Sequence, residues 1–160
     1  MIEKVNREVL RAELIRDEGL KLKAYRCTAG KLTIGVGRNM DDVGLLADEL
    51  KRGWHGQDMC RDGISRGQAL IMLDNDITRC EADLDRKLPW WRTLDDIRQR
   101  VLVNMCFNLG IGGLCGFKNT LADIQAGRYY SARVGMLASK WARQVGARAD
   151  RLADLMSPAK

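Results

Sequence analysis

Three residues at fixed spacing carry the strongest chemical signal in the chain. Glu18 is followed after eight residues by Cys27 and after five more by Thr33, within DEGLKLKAYRCTAGKLTIGVGRN at residues 17–39. A carboxylic acid can protonate a leaving oxygen, and a hydroxyl or thiol can hold or activate a water. Breaking a glycosidic bond needs both, because its transition state is oxocarbenium-like. Glu18 suits the acid's part. It lies three and four residues beyond Ile15 and Leu14, so on a helix it projects over an apolar stripe from the last turn. Partial burial there, and the negative end of the helix dipole, favour the protonated carboxyl that a general acid requires. Thr33 alternates with Leu32 and Ile34, so it faces the ligand side of a strand if those two face the core. Cys27 falls on the partner strand within a residue or two of Thr33 for any short turn, which lets the three side chains converge.

Each residue alone has a plainer reading. A glutamate at a helix end is usually an exposed charge, a strand threonine is a good strand former, and a lone cysteine is a small buried hydrophobe. If Cys27 were instead a nucleophile, the chain would be a cysteine amidase or peptidase and would need a histidine base. His55, in the segment WHG, is the single histidine. An ordinary thiol titrates near about 8.5, and neighbouring carboxylates are expected to raise Cys27 further. That favours a water-orienting part over a basic one, with base and nucleophile left open.

The elements that must position these residues follow from periodicity. Val5, Val9, Ala12 and Ile15, widened by Leu10 and Leu14, predict a helix over 3–18 that stops at Gly19. Period-two alternation from Tyr25 to Gly37 predicts a hairpin turning near Thr28, Ala29 and Gly30. A third short strand or a loop is expected in 38–60. Ser65 and Gln68 form a capping-box signature ahead of Leu70, Leu73, Ile77, Cys80 and Leu84, which predicts a helix over 65–87 that ends before Pro89. Leu94, Ile97, Val101 and Met105 mark another helix ending at Gly110. GIGGLCGF reads as a glycine-rich turn, and shorter helices are expected near 118–126, 131–143 and 147–156. The outline is α+β, mostly α, in a single domain over 1–160. A small hairpin-containing N-terminal lobe (about 15–60) is joined by a long helix (about 65–87) to a helical C-terminal lobe (about 90–160) that takes in the N-terminal helix. The default ligand site is a cleft between the lobes.

Composition narrows the class. With 46% hydrophobic and 30% charged residues and only two prolines, the chain is no disordered tail. No stretch approaches the roughly 18 to 20 apolar residues of a membrane span, so no stable membrane association is expected. The charged start MIEKVNREVLRAEL does not read as a secretory signal, and unaided secretion is not expected. Cys27, Cys60, Cys80, Cys106 and Cys115 are odd in number and lack metal-type spacing, so free thiols and no metal are expected. The net charge of +6 is spread along the chain without a basic helix interleaved with aromatics, which speaks against nucleic acid and reads first as an ordinary solvated surface and second as one that meets an anionic envelope.

The ordered string Glu18, Cys27, Thr33 within EGLKLKAY and LTIGVG closely resembles the phage lysozymes of the T-even type, glycoside hydrolase family 24. Their catalytic pattern is Glu, eight residues, Asp or Cys, five residues, Thr. FNLGIGGLCGFKNT (107–120) looks like the family's central helix end and glycine turn, and WARQVGARADR (141–151) like its C-terminal tryptophan and arginine segment, so the resemblance covers essentially the whole chain. It implies a lysozyme-like fold with Glu18 as general acid, Thr33 positioning a water, Cys27 completing the triad, and Arg148 supporting the acid. It also implies peptidoglycan as substrate, cut between N-acetylmuramic acid and N-acetylglucosamine, with no cofactor. The implied setting is a monomeric phage endolysin that waits in the host cytoplasm for a holin-like pore. A lytic transglycosylase and a noncatalytic wall-binding or tail component are the alternatives on the same scaffold. Two positions depart from a well-known member: Cys27 stands for an aspartate, and Arg38 stands for a histidine after TIGVG, with Asp76 as the candidate partner for Arg38.

Overall fold

The computed structural model describes residues 4–158. They form two compact units: Arg11–Ile77, and residues 4–10 with 78–158.

In the first unit the chain leaves helix α1 (Arg7–Glu18) and enters a three-stranded antiparallel sheet in the order β1 (Lys21–Arg26), β2 (Leu32–Gly35), β3 (Arg38–Asn39). The helix is shorter than its periodicity suggests. Residue 3, where that pattern began, lies outside the described residues. The start is set at Asn6, whose side chain accepts from the Val9 amide at 3.2 Å, satisfying one of the donors that a helix start leaves unpaired. The hairpin turns where expected: the Gly30 amide donates to the Cys27 carbonyl at 2.8 Å, and the Cys27 amide to the Lys31 carbonyl at 3.0 Å. The 38–60 stretch, read as a third short strand or a loop, opens with the third strand β3 and then folds into two short helices not expected there, α2 (Ala47–Lys51) and α3 (Gly56–Asp62). Neither is long enough to show a helical period, which is why the sequence pattern is silent there. Ile34, Met59, Ile64, Ala69 and Met72 form this unit's core.

Helix α4 (Arg66–Lys87) is the long helix expected. Its capping box is formed in full: Gln68 N–H donates to Ser65 Oγ at 3.0 Å, and Ser65 N–H to Gln68 Oε1 at 2.9 Å. Pro89 opens a short 3-10 turn, Pro89–Thr93.

The second unit is helical, with α5 (Asp96–Cys115), α6 (Lys118–Gln125), α7 (Tyr129–Leu137), α8 (Lys140–Val145) and α9 (Ala147–Met156). Two readings change here. GIGGLCGF is not a turn: the helix breaks only at Gly110 (φ 73°, ψ 162°), a conformation essentially restricted to glycine, and then resumes. The 131–143 helix is two, because Ser139 accepts from the Ala142 amide at 3.2 Å and starts α8. Its hydroxyl also donates to the Met136 carbonyl at 2.6 Å, which closes α7. Trp91, Leu102, Met105, Leu114, Ile124 and Met156 are among the fully buried side chains of this unit. Among the described residues no single helix is long and apolar enough to cross a membrane.

Candidate active site

The site's acid is placed by a helix end and a glycine. Glu18 is the last residue of α1, half-buried, and its carboxylate lies against Gly37. A β-carbon built at residue 37 would come within 2.9 Å of Glu18 Oε2 and 3.3 Å of its Cδ. Gly37 also has φ +69°, a left-handed conformation that a side chain would strain. The second glycine of TIGVG therefore has two independent reasons to be glycine, and both follow from bringing the hairpin's far end to the acid. Sequence reasoning quoted that glycine without giving it a part.

Cys27 stands at the mouth of the hairpin turn, half-exposed. Its sulfur receives hydrogen bonds from the Lys31 and Ala29 backbone amides, and these, more than the smaller opposing effect of burial, hold the thiol below its ordinary value; the Thr33 hydroxyl adds to them. The expectation that the thiol would be raised is corrected. The tight turn aims main-chain N–H groups at the sulfur, and hydrogen bonds to the charged form favour it.

Thr33 is 4% exposed, buried as its neighbour Ile34 is, so its strand face is not the open one that alternation suggests. Its hydroxyl donates to the Lys31 carbonyl at 2.9 Å and is also within bonding contact of Cys27. One hydroxyl hydrogen cannot serve both acceptors. With Cys27 as a neutral thiol it goes to the carbonyl, and with Cys27 as thiolate the sulfur competes for it. Directly opposite Thr33 on the partner strand is Tyr25, not Cys27. Tyr25 is half-buried and feels both Glu18 and Cys27: burial first, and then those two negative groups, push its hydroxyl above its ordinary value. Glu18, Cys27 and Thr33 thus lie in one unit, Thr33 beside Cys27, with a tyrosine that the motif did not single out opposite Thr33 and under the influence of Glu18 and Cys27.

His55 is elsewhere. It is exposed at the start of α3 and is absent from the groups that act on the Cys27 sulfur, so the cysteine amidase reading finds no base beside its nucleophile. A cavity of about 570 Å³ in this unit, lined by Leu32, Met40, Asp41, Leu45, Leu50 and Cys60 among others, takes in none of the three site residues.

Arg38 does pair with Asp76, Nε to Oδ2 at 2.9 Å. Its main partner is one that the sequence did not indicate: Glu49 accepts two bonds from the guanidinium, at 2.7 and 2.9 Å. All three are buried or nearly so. Burial alone would work against the charge on Arg38, but the two carboxylates outweigh it and hold the guanidinium above its usual range.

In the helical unit Arg148, on α9, is 7% exposed and donates from Nε and Nη2 to Asn104 Oδ1 on α5, at 3.0 and 2.9 Å. Asn104 is a further residue that helix periodicity could not mark, since a buried polar side chain breaks the apolar pattern. Beside it Asn108 accepts from the Trp141 indole N–H at 2.7 Å, and Phe117 packs edge-on to the Trp141 ring. Among the described residues no cluster of three or more His, Cys, Asp or Glu side chains could hold a metal ion.

A mostly helical α+β chain with a small hairpin-bearing sheet is consistent with a lysozyme-like fold, and the comparisons with known proteins make it a glycosidase of lysozyme type. Residues 16–156 match the phage lysozyme family. The chain is 30% identical over 154 residues to the pre-baseplate central spike protein Gp5 of Enterobacteria phage T4, an alignment that takes in 88% of this chain and 26% of that protein. It is 29% identical to the probable T4-type lysozyme 1 of Dictyostelium discoideum and 26% identical to its probable T4-type lysozyme 2, each over 146 residues, 85% of this chain and 86% of theirs. The chain thus spans about a quarter of the spike protein and most of either lysozyme. It belongs to the phage lysozyme family.

Proposed function

We infer that this chain hydrolyses the β-1,4 bond between N-acetylmuramic acid and N-acetylglucosamine in peptidoglycan. The observation that carries the reading is the placement of Glu18 against Gly37, in the same unit as a Cys27 sulfur gathered by two turn amides and the Thr33 hydroxyl. Glu18 gives its proton to the leaving oxygen. A water held by the Thr33 oxygen attacks the anomeric carbon from the opposite side, and Cys27, readied as an acceptor, takes the proton that the water loses. One displacement of this kind inverts the anomeric centre. The supporting role that the family likeness gives to Arg148 belongs to the same proposal.

The biological setting we propose, with the likeness to phage lysozymes as its support, is a monomeric endolysin, held in the host cytoplasm until a holin-like pore opens the membrane, that releases progeny by cutting the wall. The identity with the spike protein favours a second setting, in which the same chemistry works as part of a larger phage protein. Expression in a host with and without a co-expressed holin separates them, since the first setting requires lysis only with the pore.

The chemistry is tested by mass spectrometry of digested peptidoglycan. Wild type is expected to release fragments with reducing muramic-acid ends, and Glu18→Gln to lose about 10²- to 10⁴-fold in rate, the usual worth of a general acid. Anhydro ends would identify a transglycosylase, freed peptides an amidase, and an unimpaired Glu18→Gln would remove the acid from its place.

A further inference from the structure

We propose that Tyr25 is a substrate-contacting residue of this site, its hydroxyl bonding a polar oxygen of the sugar or of the attacking water in the gap between Glu18 and Cys27. The inference rests on the glycosidase reading above and adds a residue to it.

The argument begins from what the gap must contain. An acid and a water-holding group stand on either side of the bond that they break, so a side chain lying between them lies beside the scissile bond. Two observations bring Tyr25 to the neighbourhood of those groups. The strand register sets its Cα opposite that of Thr33, and directly opposed residues of an antiparallel pair share a face. Independently, its hydroxyl responds to Glu18 and to Cys27 together.

The hydroxyl is also unspent. Among the described residues it makes no hydrogen bond, and the contact found for the ring is Lys21 Nζ, 5.6 Å from its centroid. A half-buried tyrosine normally finds a partner for its O–H. Here no partner is found among the described residues, beside the groups between which substrate oxygens must lie. Burial first, and then Glu18 and Cys27, hold the phenol above its ordinary value, so it is a donor through the whole working range and can hand a hydrogen bond to an oxygen as negative charge develops there.

Tyr25→Phe removes the oxygen and keeps the ring. Peptidoglycan cleavage by the full chain is expected to lose about tenfold in kcat/KM, with the thermal midpoint unchanged within error. A second measurement does not depend on activity. With 3-fluorotyrosine incorporated, the fluorine signal that disappears in Tyr25→Phe should shift on adding the soluble tetrasaccharide of alternating N-acetylglucosamine and N-acetylmuramic acid, while those of Tyr129 and Tyr130 stay fixed. Unchanged kcat/KM in Tyr25→Phe would overturn the proposal. So would a loss of rate that tracks a loss of thermal stability, or a fluorine signal that ignores the sugar. If the wild type releases no reducing muramic-acid ends, the glycosidase reading itself has failed, an outcome that Tyr25→Phe cannot imitate.

Discussion

At the scale of single residues, the site turns on what the backbone offers a side chain. Cys27 is the clearest case: the turn that brings it near Thr33 also aims two amides at its sulfur, and the thiolate forms more readily than in a free cysteine. Cys60 is pushed the other way, by burial first and then by Asp41. Iodoacetamide alkylation followed residue by residue should therefore reach half its limiting rate at a lower pH for Cys27 than for Cys60; the reverse order would contradict the turn's effect. The Glu–Cys–Thr spacing was legible because it lies in one contiguous stretch, and Tyr25 was not, because only the register reveals that it opposes Thr33. Gly37 makes a second test. Gly37→Ala places a β-carbon 2.9 Å from Glu18 Oε2 on a backbone already at φ +69°. A loss of about 1–2 kcal/mol in stability is expected from the left-handed conformation, together with a fall in wall-clearing rate out of proportion to it, because the acid itself must move. Equal losses in rate and in folded fraction would show the glycine to be structural only.

At the scale of elements, the buried guanidinium of Arg38 ties β3 to α2 through Glu49 and to α4 through Asp76. The Arg38–Asp76 pair could be guessed from the long helix's register. Glu49 could not, since it sits in a five-residue helix with no period of its own and reveals itself only by what it bonds: Arg38, the Asn75 amide at 3.0 Å and the Leu46 N–H at 2.9 Å. Burial opposes the charge of Glu49, but these donors overcome it and hold its carboxyl below the usual range. The consequence for acid stability has a definite sign. A carboxyl whose folded pKa is depressed adds stability that is complete above its unfolded value, about 4.3, and that is lost as pH falls from there through the folded value. Where a histidine would titrate near neutrality, an arginine keeps its charge, so this link stays intact across neutral pH. Glu49→Ala, which leaves a buried charge half-partnered, is expected to cost about 3–5 kcal/mol in urea unfolding at pH 7. Glu49→Gln should lessen the drop in melting temperature below about pH 4. An acid slope the same as wild type in Glu49→Gln would exclude this carboxylate as its source.

At the scale of the whole molecule, charge is divided as unevenly as the chemistry. Residues 11–77, which hold the acid and the Cys27–Thr33 pair, carry equal numbers of acidic and basic side chains, so the net +6 belongs entirely to residues 1–10 and 78–160. The overall charge was plain in the sequence, but this partition was not, because the basic residues look evenly strewn until the fold assigns each to its unit. Much of the excess lies on short helices, where Lys118, Lys140 and Arg143 make no ion pair among the described residues. Charges left in water attract an anionic surface at long range and are screened by salt, whereas a candidate site in a unit of zero net charge has little to gain or lose by screening. Salt should therefore act on the approach to the wall and leave bond cleavage nearly untouched. Between about 0.01 M and about 1 M salt, where the screening length falls from about 30 Å to about 3 Å, clearing of walls rich in anionic polymer is expected to slow several-fold. Clearing of the same walls stripped of those polymers should change little, and Lys118→Gln, Lys140→Gln and Arg143→Gln combined should flatten the first curve toward the second. Parallel salt curves for the two walls would place the sensitivity in the chemistry instead, and would show that the helical unit's positive charge has no part in reaching the substrate.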